Sequence, residues 1–265
     1  MLTQYLARDM IYREKYAHFL FMLAAIADRW ENVMTEDKNT WLQQQLRQAG
    51  AVKIGFADLS ELPAETRQGL PRAVIIGQPL DPAVMIRIPS GPHLDYYEEM
   101  MRVDKKLADL AGFLCGLLME NGYQQYCFMG KSDENYRTAV PFKTVARLAG
   151  WGFIGKSNLL ITQEYGAAIR LITVLTDLPV ACNKEMVAHG CGTCTACADV
   201  CPAKTIKGQV WQPGVDRDQM MTPQLCRKKV LERGKQLQIT AAACGICIAV
   251  CPYTKRYLHR ALGYC

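Results

Sequence analysis

Two cysteine-rich stretches carry the most specific chemical signal in the sequence. The first, HGCGTCTACADVCPAKTI, spaces its cysteines as C-x2-C-x2-C-x3-C-P, and the second, ACGICIAVCPY, spaces them as C-x2-C-x3-C-P. The first spacing is typical of thiolates that bind four-iron clusters, and where two clusters are present its fourth cysteine ligates the other one. The second stretch is one ligand short, and Cys226 upstream supplies a further thiol. The sequence therefore predicts two [4Fe-4S] clusters.

The spacing also predicts a crossed set of ligands. Cluster 1 takes the first three cysteines of the first stretch and the last cysteine of the second, and cluster 2 takes the rest. The predicted ligands are Cys191, Cys194, Cys197 and Cys251 for cluster 1 and Cys201, Cys226, Cys244 and Cys247 for cluster 2. Two four-cysteine zinc sites are the alternative, although zinc does not need the Cys-Pro endings or the crossed count. The remaining cysteines lack such spacing and are interpreted as packing or terminal residues; they are Cys115, Cys127, Cys182 and Cys265.

The stretch GWGFIGKS, residues 150–157, fits the glycine patterns of two kinds of nucleotide-binding loop. Both kinds need a strand before the glycines and a helix after them, so that amides at the helix N-terminus meet phosphate. Here residues 141–149 predict a helix before the glycines, and residues 158–162 predict a strand after them. Because the order is reversed, we expect a turn or a close approach to a flat ligand rather than a nucleotide site.

Hydrophobic periodicity predicts an α/β or α+β core ahead of the cysteines. Helices are expected over residues 1–37, up to Gly50, and from Pro92 to Asn121. Strands are expected at residues 52–59, 72–80, 126–130, 158–162 and 168–178. Beyond Val180 the sequence changes to short cysteine-rich turns. We therefore expect a helical extension over residues 1–37, an α/β domain over 38–180 and a cluster domain over 181–265.

The composition of the 265 residues is that of a globular protein, since 50% are hydrophobic and 21% are charged. The longest apolar run, Phe19 to Ala27, is far shorter than the roughly 20 residues that cross a bilayer. We expect no membrane span and no secretory leader, and we expect the protein in the cytoplasm, where cysteines stay reduced. Two clusters of about −2 charge each would offset most of the formal charge of +6, which weakens the argument for a polyanionic partner.

Three stretches resemble one family: AVPFKTVARLAGWGFIGKSNLLIT, YGAAIRLITVLTDLPV and the double cysteine motif. They are similar to the epoxyqueuosine reductases and their wider group of double-cluster proteins, which includes the corrinoid reductive dehalogenases. The resemblance implies a nitroreductase-like α/β domain that holds cobalamin beside a bacterial ferredoxin-like domain with two [4Fe-4S] clusters. It implies that Gly152, Gly155, Lys156 and Ser157 lie near the corrin macrocycle. Arg170 is expected to contact the cofactor or to form a structural ion pair.

The sequence departs from the reductase pattern where that pattern carries an acidic proton donor. It reads TAVP there, with Thr138 in the acidic position, and Lys143 stands where those enzymes have a glutamate nearby. Breaking a carbon–oxygen or carbon–halogen bond needs a proton at the leaving atom. We expect Tyr136 or Asp133 to act as the acid and Lys143 as an electrostatic partner. No helical-repeat segment of the kind that helps those enzymes hold tRNA is found up to Cys265.

These features predict an iron–sulfur oxidoreductase that passes electrons through its clusters to a bound cobalamin for the reductive cleavage of a small substrate. One alternative is an electron-transfer protein that binds no corrinoid and reduces a partner, for example a corrinoid protein. A further alternative is a true tRNA epoxyqueuosine reductase, with tRNA as a less favoured partner. A flavodoxin or ferredoxin is expected as electron donor, because cations that could attract an acidic partner flank the second cluster's ligands. They are Arg227, Lys228, Lys229, Lys255 and Arg256; a solvated face that balances cluster charge is the alternative.

Overall fold

The computed structural model describes residues 37–90, 93–128, 132–183, 185–239 and 244–263. These residues fall into two compact units. The smaller unit contains residues 37–44 and Pro179–Ala181, and in it Asn39 Nδ2 donates to the carbonyl of Ala181 at 2.8 Å while its Oδ1 accepts from the Ala181 amide at 2.9 Å. We predicted a helix over residues 1–37, and residues 1–36 of it lie outside the described residues.

Helix α1 occupies residues 37–48 and ends in a turn at Gly50, as predicted. The strands that follow are β1 (Lys53–Asp58), β2 (Arg72–Pro79), β3 (Gln125–Cys127), β4 (Gly152–Ile154), β5 (Leu160–Thr162) and β6 (Ile169–Thr176). The further helices are α2 (Pro82–Met85), α3 (Leu94–Glu120), α4 (Phe142–Leu148), α5 (Ala196–Asp199), α6 (Arg217–Met220), α7 (Pro223–Gln236), α8 (Ile246–Ala249) and α9 (Pro252–Leu262), with a 3-10 turn at Ile88–Ser90.

The larger unit is built on an antiparallel sheet with the strand order β1-β2-β6-β3. Successive side chains of a strand point to opposite faces, and both sets are buried here. Ile75 and Leu175 lie on the face that α4 and Trp151 cover, and the alternate residues Val74 and Val174 are fully buried as well. The amphipathic helix α3 packs against β2 and β6. The mixed α/β fold that the sequence predicts is confirmed.

The glycine-rich stretch forms a β-hairpin. After α4, β4 pairs with β5, and the Gly155 amide donates to the Leu159 carbonyl at 2.9 Å. A Cβ at Gly152 would lie 1.9 Å from the Ile161 carbonyl oxygen, so strand pairing requires glycine there. The predicted order of helix, glycines and strand is confirmed, which is the reverse of a nucleotide-binding loop. The sequence did not predict β4, because three apolar residues next to two glycines give no periodic signal.

The cysteine-rich part contains short helices and is attached to the sheet through α9. The Tyr257 hydroxyl donates to the Leu80 carbonyl at 2.9 Å, and Thr254 Oγ1 accepts from the Ala167 amide at 2.9 Å. Both bonds lie within the larger unit, which contains residues 45–178 and 182–263 of the described chain. A boundary at residue 180 stays a prediction. Within the described ranges, every helix is too short or too polar to cross a membrane.

Candidate functional site

The predicted ligands of cluster 1 line one cavity. This cluster-1 cavity has a volume of about 240 Å³, and its wall includes Cys191, Cys194, Cys197 and Cys251 together with Lys156, Ser157, Tyr253 and Arg256. Three of these cysteines come from the first stretch and Cys251 comes from the second, as the crossed ligand set requires.

The predicted ligands of cluster 2 line a second cavity. This cluster-2 cavity has a volume of about 120 Å³, and its wall includes Cys201, Cys226, Cys244 and Cys247. Cys247 also lines the cluster-1 cavity, so the two cavities are neighbours. Cys226 reaches the site from the first turn of α7. Cys115, Cys127 and Cys182 line neither cavity, and Cys265 lies outside the described residues.

The local backbone explains how these cysteines converge. Gly245, directly after Cys244, has φ +75°, a left-handed conformation that glycine adopts without steric cost. It forms the N-cap of α8, whose second residue is Cys247. Cys251 is the N-cap of α9 and is followed by Pro252 at the first helical position, where proline is favoured. The second Cys-Pro pair therefore begins a helix, and its cysteine lines the cluster-1 cavity.

The chemistry of the thiols fits a buried cationic metal centre. Burial, followed by the neighbouring thiols of Cys191 and Cys251, raises the pKa of Cys197 to about 11. Burial also raises the pKa of Cys226 and Cys247. Ionising such thiols is costly unless a metal offsets the charge. In the part of the chain that the structure describes, no three His, Cys, Asp or Glu side chains converge on a single-ion site. The predicted ligands instead line two neighbouring cavities.

A third cavity lies beside the β4–β5 hairpin. This Lys143 cavity has a volume of about 580 Å³. Its wall combines aromatic and aliphatic side chains with three cations. The wall includes Tyr136, Arg137, Thr138, Phe142, Lys143, Ile154, Asn158, Trp211, Val215, Asp216 and Arg217. A volume of this size is within the roughly 300–1,000 Å³ that ligand sites occupy.

Lys143 is a partly buried cation of this cavity. Its Nζ donates to the carbonyl of Asn158 at 2.6 Å. Burial, together with the nearby Arg217 guanidinium, lowers the pKa of Lys143 to about 8. A lysine of this kind exchanges a proton near neutral pH, which is what general acid–base chemistry requires.

One turn contacts all three cavities. Lys156 lines the cluster-1 cavity, Ser157 lines both cysteine cavities, Asn158 lines the Lys143 cavity, and Leu159 lines the cluster-2 cavity. Four consecutive residues therefore separate the two cysteine cavities from the Lys143 cavity. The backbone of this turn is fixed by the hydrogen bond of 2.8 Å from the Asn158 amide to the Gly155 carbonyl.

The candidate acids differ in their positions. Tyr136 lines the Lys143 cavity, whereas Asp133 does not. The Asp133 carboxylate accepts a hydrogen bond of 2.7 Å from the Arg137 amide within its own loop. Thr138 Oγ1 donates to the Val140 carbonyl at 2.7 Å, so this hydroxyl also serves the local backbone.

The role of Gly152, Gly155, Lys156, Ser157 and Arg170 near a corrin stays a prediction. None of Gly152, Gly155, Lys156 and Ser157 lines the Lys143 cavity; Lys156 and Ser157 line the cysteine cavities, and Gly155 packs against Ile161 and Cys191. Arg170 forms an ion pair with Asp104, with 2.8 Å between Nε and Oδ1, which is the structural alternative considered for it. Of the turn residues 156–159, only Asn158 lines the Lys143 cavity, which a linear motif does not reveal.

Sequence reasoning missed the residues that α6 contributes. Arg137 Nη2 lies 3.0 Å from both carboxylate oxygens of Asp216, and Arg217 Nη1 donates to the Tyr136 carbonyl at 2.9 Å. These contacts hold the loop of residues 132–138 against α6. Asp216 and Gln219 form a capping box, and the D-x-x-Q pattern could have located this helix start. Nothing in the sequence pairs Arg137 with a residue so far along the chain.

Comparison with known proteins agrees with the cysteine geometry. Residues 190–254 match the family model of the 4Fe-4S double cluster binding domain. An epoxyqueuosine reductase from Lactococcus garvieae is 34% identical over 113 residues, which is 42% of this chain and 31% of the relative. The match thus spans about a third of the length of that relative.

Solved structures share the fold. An epoxyqueuosine reductase crystallised with an epoxyqueuosine-modified tRNA-Tyr stem loop has a TM-score of 0.55 at 20% identity, and the match covers 83% of this chain and 66% of that one. A reductive dehalogenase, described as catalysing B12-dependent dehalogenation, has a TM-score of 0.64 at 19% identity, covering 80% of this chain and 31% of that one. The chain therefore resembles epoxyqueuosine reductases over part of its length, shares the fold of these enzymes and of reductive dehalogenases, and matches the 4Fe-4S double cluster binding domain at residues 190–254.

Proposed function

We propose that this chain is a reductase that passes electrons through two [4Fe-4S] clusters to the Lys143 cavity, where it reduces an epoxide of the epoxyqueuosine type. The observation that carries the proposal is the turn of residues 156–159, which lines the two cysteine cavities and the Lys143 cavity at once. Redox centres and a substrate cavity separated by a single turn are close enough to exchange electrons.

The crossed cysteine sets are proposed as the cluster ligands, and the domain that carries them is proposed to begin at residue 181. Bound four-iron clusters supply one-electron transfer. The cysteines would hold them, and apolar side chains complete the walls, with Leu159 and Ile248 at the cluster-2 cavity and Ile161 at the cluster-1 cavity.

Lys143 is proposed as the proton donor to the oxygen that leaves carbon. Its pKa of about 8 keeps it protonated at neutral pH while making the proton available. Arg217 lines the same cavity and lowers that pKa, and Tyr136 offers a second hydroxyl donor. Asp133 is not retained as the acid, because its carboxylate is bound within its own loop.

Cobalamin is proposed as the cofactor of the Lys143 cavity. The fit rests on the apolar wall formed by Phe142, Ile154 and Trp211, against which a flat macrocycle can pack. The residues that would hold it are Ile154 and Asn158 rather than Gly152, Gly155, Lys156, Ser157 or Arg170. When bound, cobalamin supplies a strongly reducing cobalt centre.

Epoxyqueuosine in tRNA is proposed as the substrate ahead of a small molecule. The curated relatives are epoxyqueuosine reductases, and one such enzyme has been crystallised with a modified tRNA stem loop. In this chain Arg137 and Arg217 line the cavity, and Arg147 lies 4.9 Å over the Trp211 ring. Cations beside aromatic rings are suited to phosphates and bases.

The test is conversion of the modified nucleoside. Oxygen-free protein, supplied with cobalamin and a chemical reductant, is incubated with tRNA that contains epoxyqueuosine, and the nucleosides are analysed by mass spectrometry. We expect queuosine from the wild type, little from Lys143→Met, and normal amounts from Lys105→Met, which removes an exposed cation on α3. Intact epoxyqueuosine after incubation with fully loaded wild type would contradict the tRNA substrate.

A small-molecule reductase is the second candidate, and Thr138 favours it. A threonine stands where the resemblance expects an acid, and its hydroxyl is bound to the Val140 carbonyl. The carboxylate of Asp216 lines the cavity but pairs with Arg137. This candidate predicts cobalamin retention without action on tRNA. Failure to retain cobalamin under saturating conditions would leave the third candidate, a protein that transfers electrons to a partner.

Helix α7 is proposed as the docking surface for a flavodoxin or ferredoxin donor. It carries Cys226 on its first turn, and Arg227 and Lys228 are exposed beside it. Leu225, 50% exposed, provides an apolar contact at the same end. Such charges increase the association rate with an acidic partner. Lys228→Glu should slow reduction by the donor at low salt, whereas Lys105→Glu should not, and equal rates in both variants would exclude this surface.

A further inference from the structure

The side chain of Lys156 reaches from the hairpin turn into the loop that carries the first cysteines. Its Nζ donates to the carbonyl of Gly192 at 2.7 Å and to the carbonyl of Cys194 at 3.1 Å. Lys156 is 9% exposed and lines the cluster-1 cavity. An ammonium group has three N–H donors, so these two carbonyls leave one N–H free to face the cavity.

The charge of Lys156 is not neutralised by an acid. Both of its hydrogen-bond partners are uncharged carbonyls, and it takes part in none of the ion pairs formed among the described residues. Lys229, which lines the cluster-2 cavity, differs because its Nζ lies 2.7 Å from Glu232 Oε2. Each cavity thus has one lysine in its wall, and only the one at cluster 1 is without a carboxylate partner.

A buried positive charge acts strongly on a neighbouring redox centre. Reduction of a cluster adds one electron and therefore one unit of negative charge. A cation favours the reduced form, and it does so more strongly where low-dielectric surroundings screen it poorly. Arg256 lines the same cavity, but its guanidinium stacks over the Tyr253 ring at 4.2 Å.

We propose that Lys156 raises the reduction potential of cluster 1 and so makes it the more readily reduced of the two clusters. The inference rests on the proposed ligand set of cluster 1. Lys156 also connects the hairpin to the cysteine loop, so its charge and its hydrogen bonds must be separated experimentally.

Three variants separate them. Lys156→Gln keeps N–H donors for the carbonyls and removes the charge, Lys156→Met removes both, and Lys156→Arg keeps the charge. Each is purified without oxygen, assayed for iron and acid-labile sulfide, and titrated potentiometrically with electron paramagnetic resonance detection. We expect the glutamine and methionine variants to shift the reduction equilibrium of one cluster by about tenfold towards the oxidised form, which is about 59 mV for one electron. The arginine variant should stay within about twofold of the wild type.

Unchanged potentials in Lys156→Gln with both clusters present would overturn the inference, as would an equal fall in Lys156→Arg. Loss of a cluster from both the glutamine and the methionine variants, with the arginine variant intact, would also overturn it, because Lys156 would then serve assembly. A wild type that contains far fewer than eight irons would instead defeat the proposed function, so the two failures are distinguishable.

Discussion

Lys143 donates a hydrogen bond of 2.6 Å to the backbone carbonyl of Asn158, which attaches the first turn of α4 to the hairpin turn between β4 and β5. The bond joins the candidate proton donor to the segment that separates the cavities. A change in the position of that turn would therefore move the Lys143 ammonium relative to a substrate.

Removal of the Lys143 ammonium should abolish most of the activity. General acids typically contribute about 10²- to 10⁴-fold in rate, so Lys143→Met should slow single-turnover conversion by an amount in that range. Because the protonated form is the donor, wild-type activity should fall as pH rises through about 8. Lys143→Arg should also lose most of the activity, because a guanidinium keeps its proton throughout this pH range. A flat profile between pH 7 and 9.5 in the wild type would contradict this role.

The same shift makes the stability of the protein depend on pH. The pKa of Lys143 is about 8 in the folded chain, against 10.5 for an ordinary lysine. Between these values the unfolded chain binds more protons than the folded chain, so stability should rise with pH in that window. Urea unfolding at pH 7.5 and 9.5 should show this gain in the wild type and a smaller gain in Lys143→Met. Equal changes in the two proteins would disprove the linkage.

The crossed ligand sets predict which cysteines share a spectrum. Cys197 and Cys251 line the cluster-1 cavity, and Cys201 lines the cluster-2 cavity. Replacing Cys197 or Cys251 by serine should perturb the same electron paramagnetic resonance signal, whereas Cys201→Ser should perturb the other one. If Cys197→Ser and Cys201→Ser changed the same signal, each cysteine stretch would hold its own cluster and the crossing would be wrong.

The hairpin should not tolerate a side chain at its first residue. A Cβ at Gly152 would meet the Ile161 carbonyl at 1.9 Å, so Gly152→Ala should destabilise the protein by about 1–3 kcal/mol or more. Gly112 in α3 is the matched control, since nothing lies within 4 Å of a Cβ there. Gly112→Ala should stabilise by about 0.5–1 kcal/mol. Denaturant midpoints measure both, and a Gly152→Ala protein as stable as the wild type would contradict the observed pairing.

Local patterns predicted the elements well, and distant contacts defined the site. Alternating and periodic apolar residues located β2, β6 and α3 to within a few residues. The cysteine spacing also grouped thiols that line the same cavity, with Cys247 lining both, and their assignment as cluster ligands stays a prediction. The contact of Lys156 with the cysteine loop could not be predicted, since its partner Gly192 lies 36 residues further along the chain. Arg137 and Asp216 are 79 residues apart, and no periodic signal reports such a pair.

The anchoring of α9 has a consequence for how the protein matures. Cys251 begins the helix whose Thr254 and Tyr257 are fastened to Ala167 and Leu80. These bonds fix the position of Cys251, the proposed fourth ligand of cluster 1, relative to the β-sheet. The proposed ligand set of cluster 1 would therefore be complete only after the sheet has formed. A cysteine-rich fragment expressed without the sheet should therefore assemble [4Fe-4S] clusters poorly, even though it contains every proposed ligand.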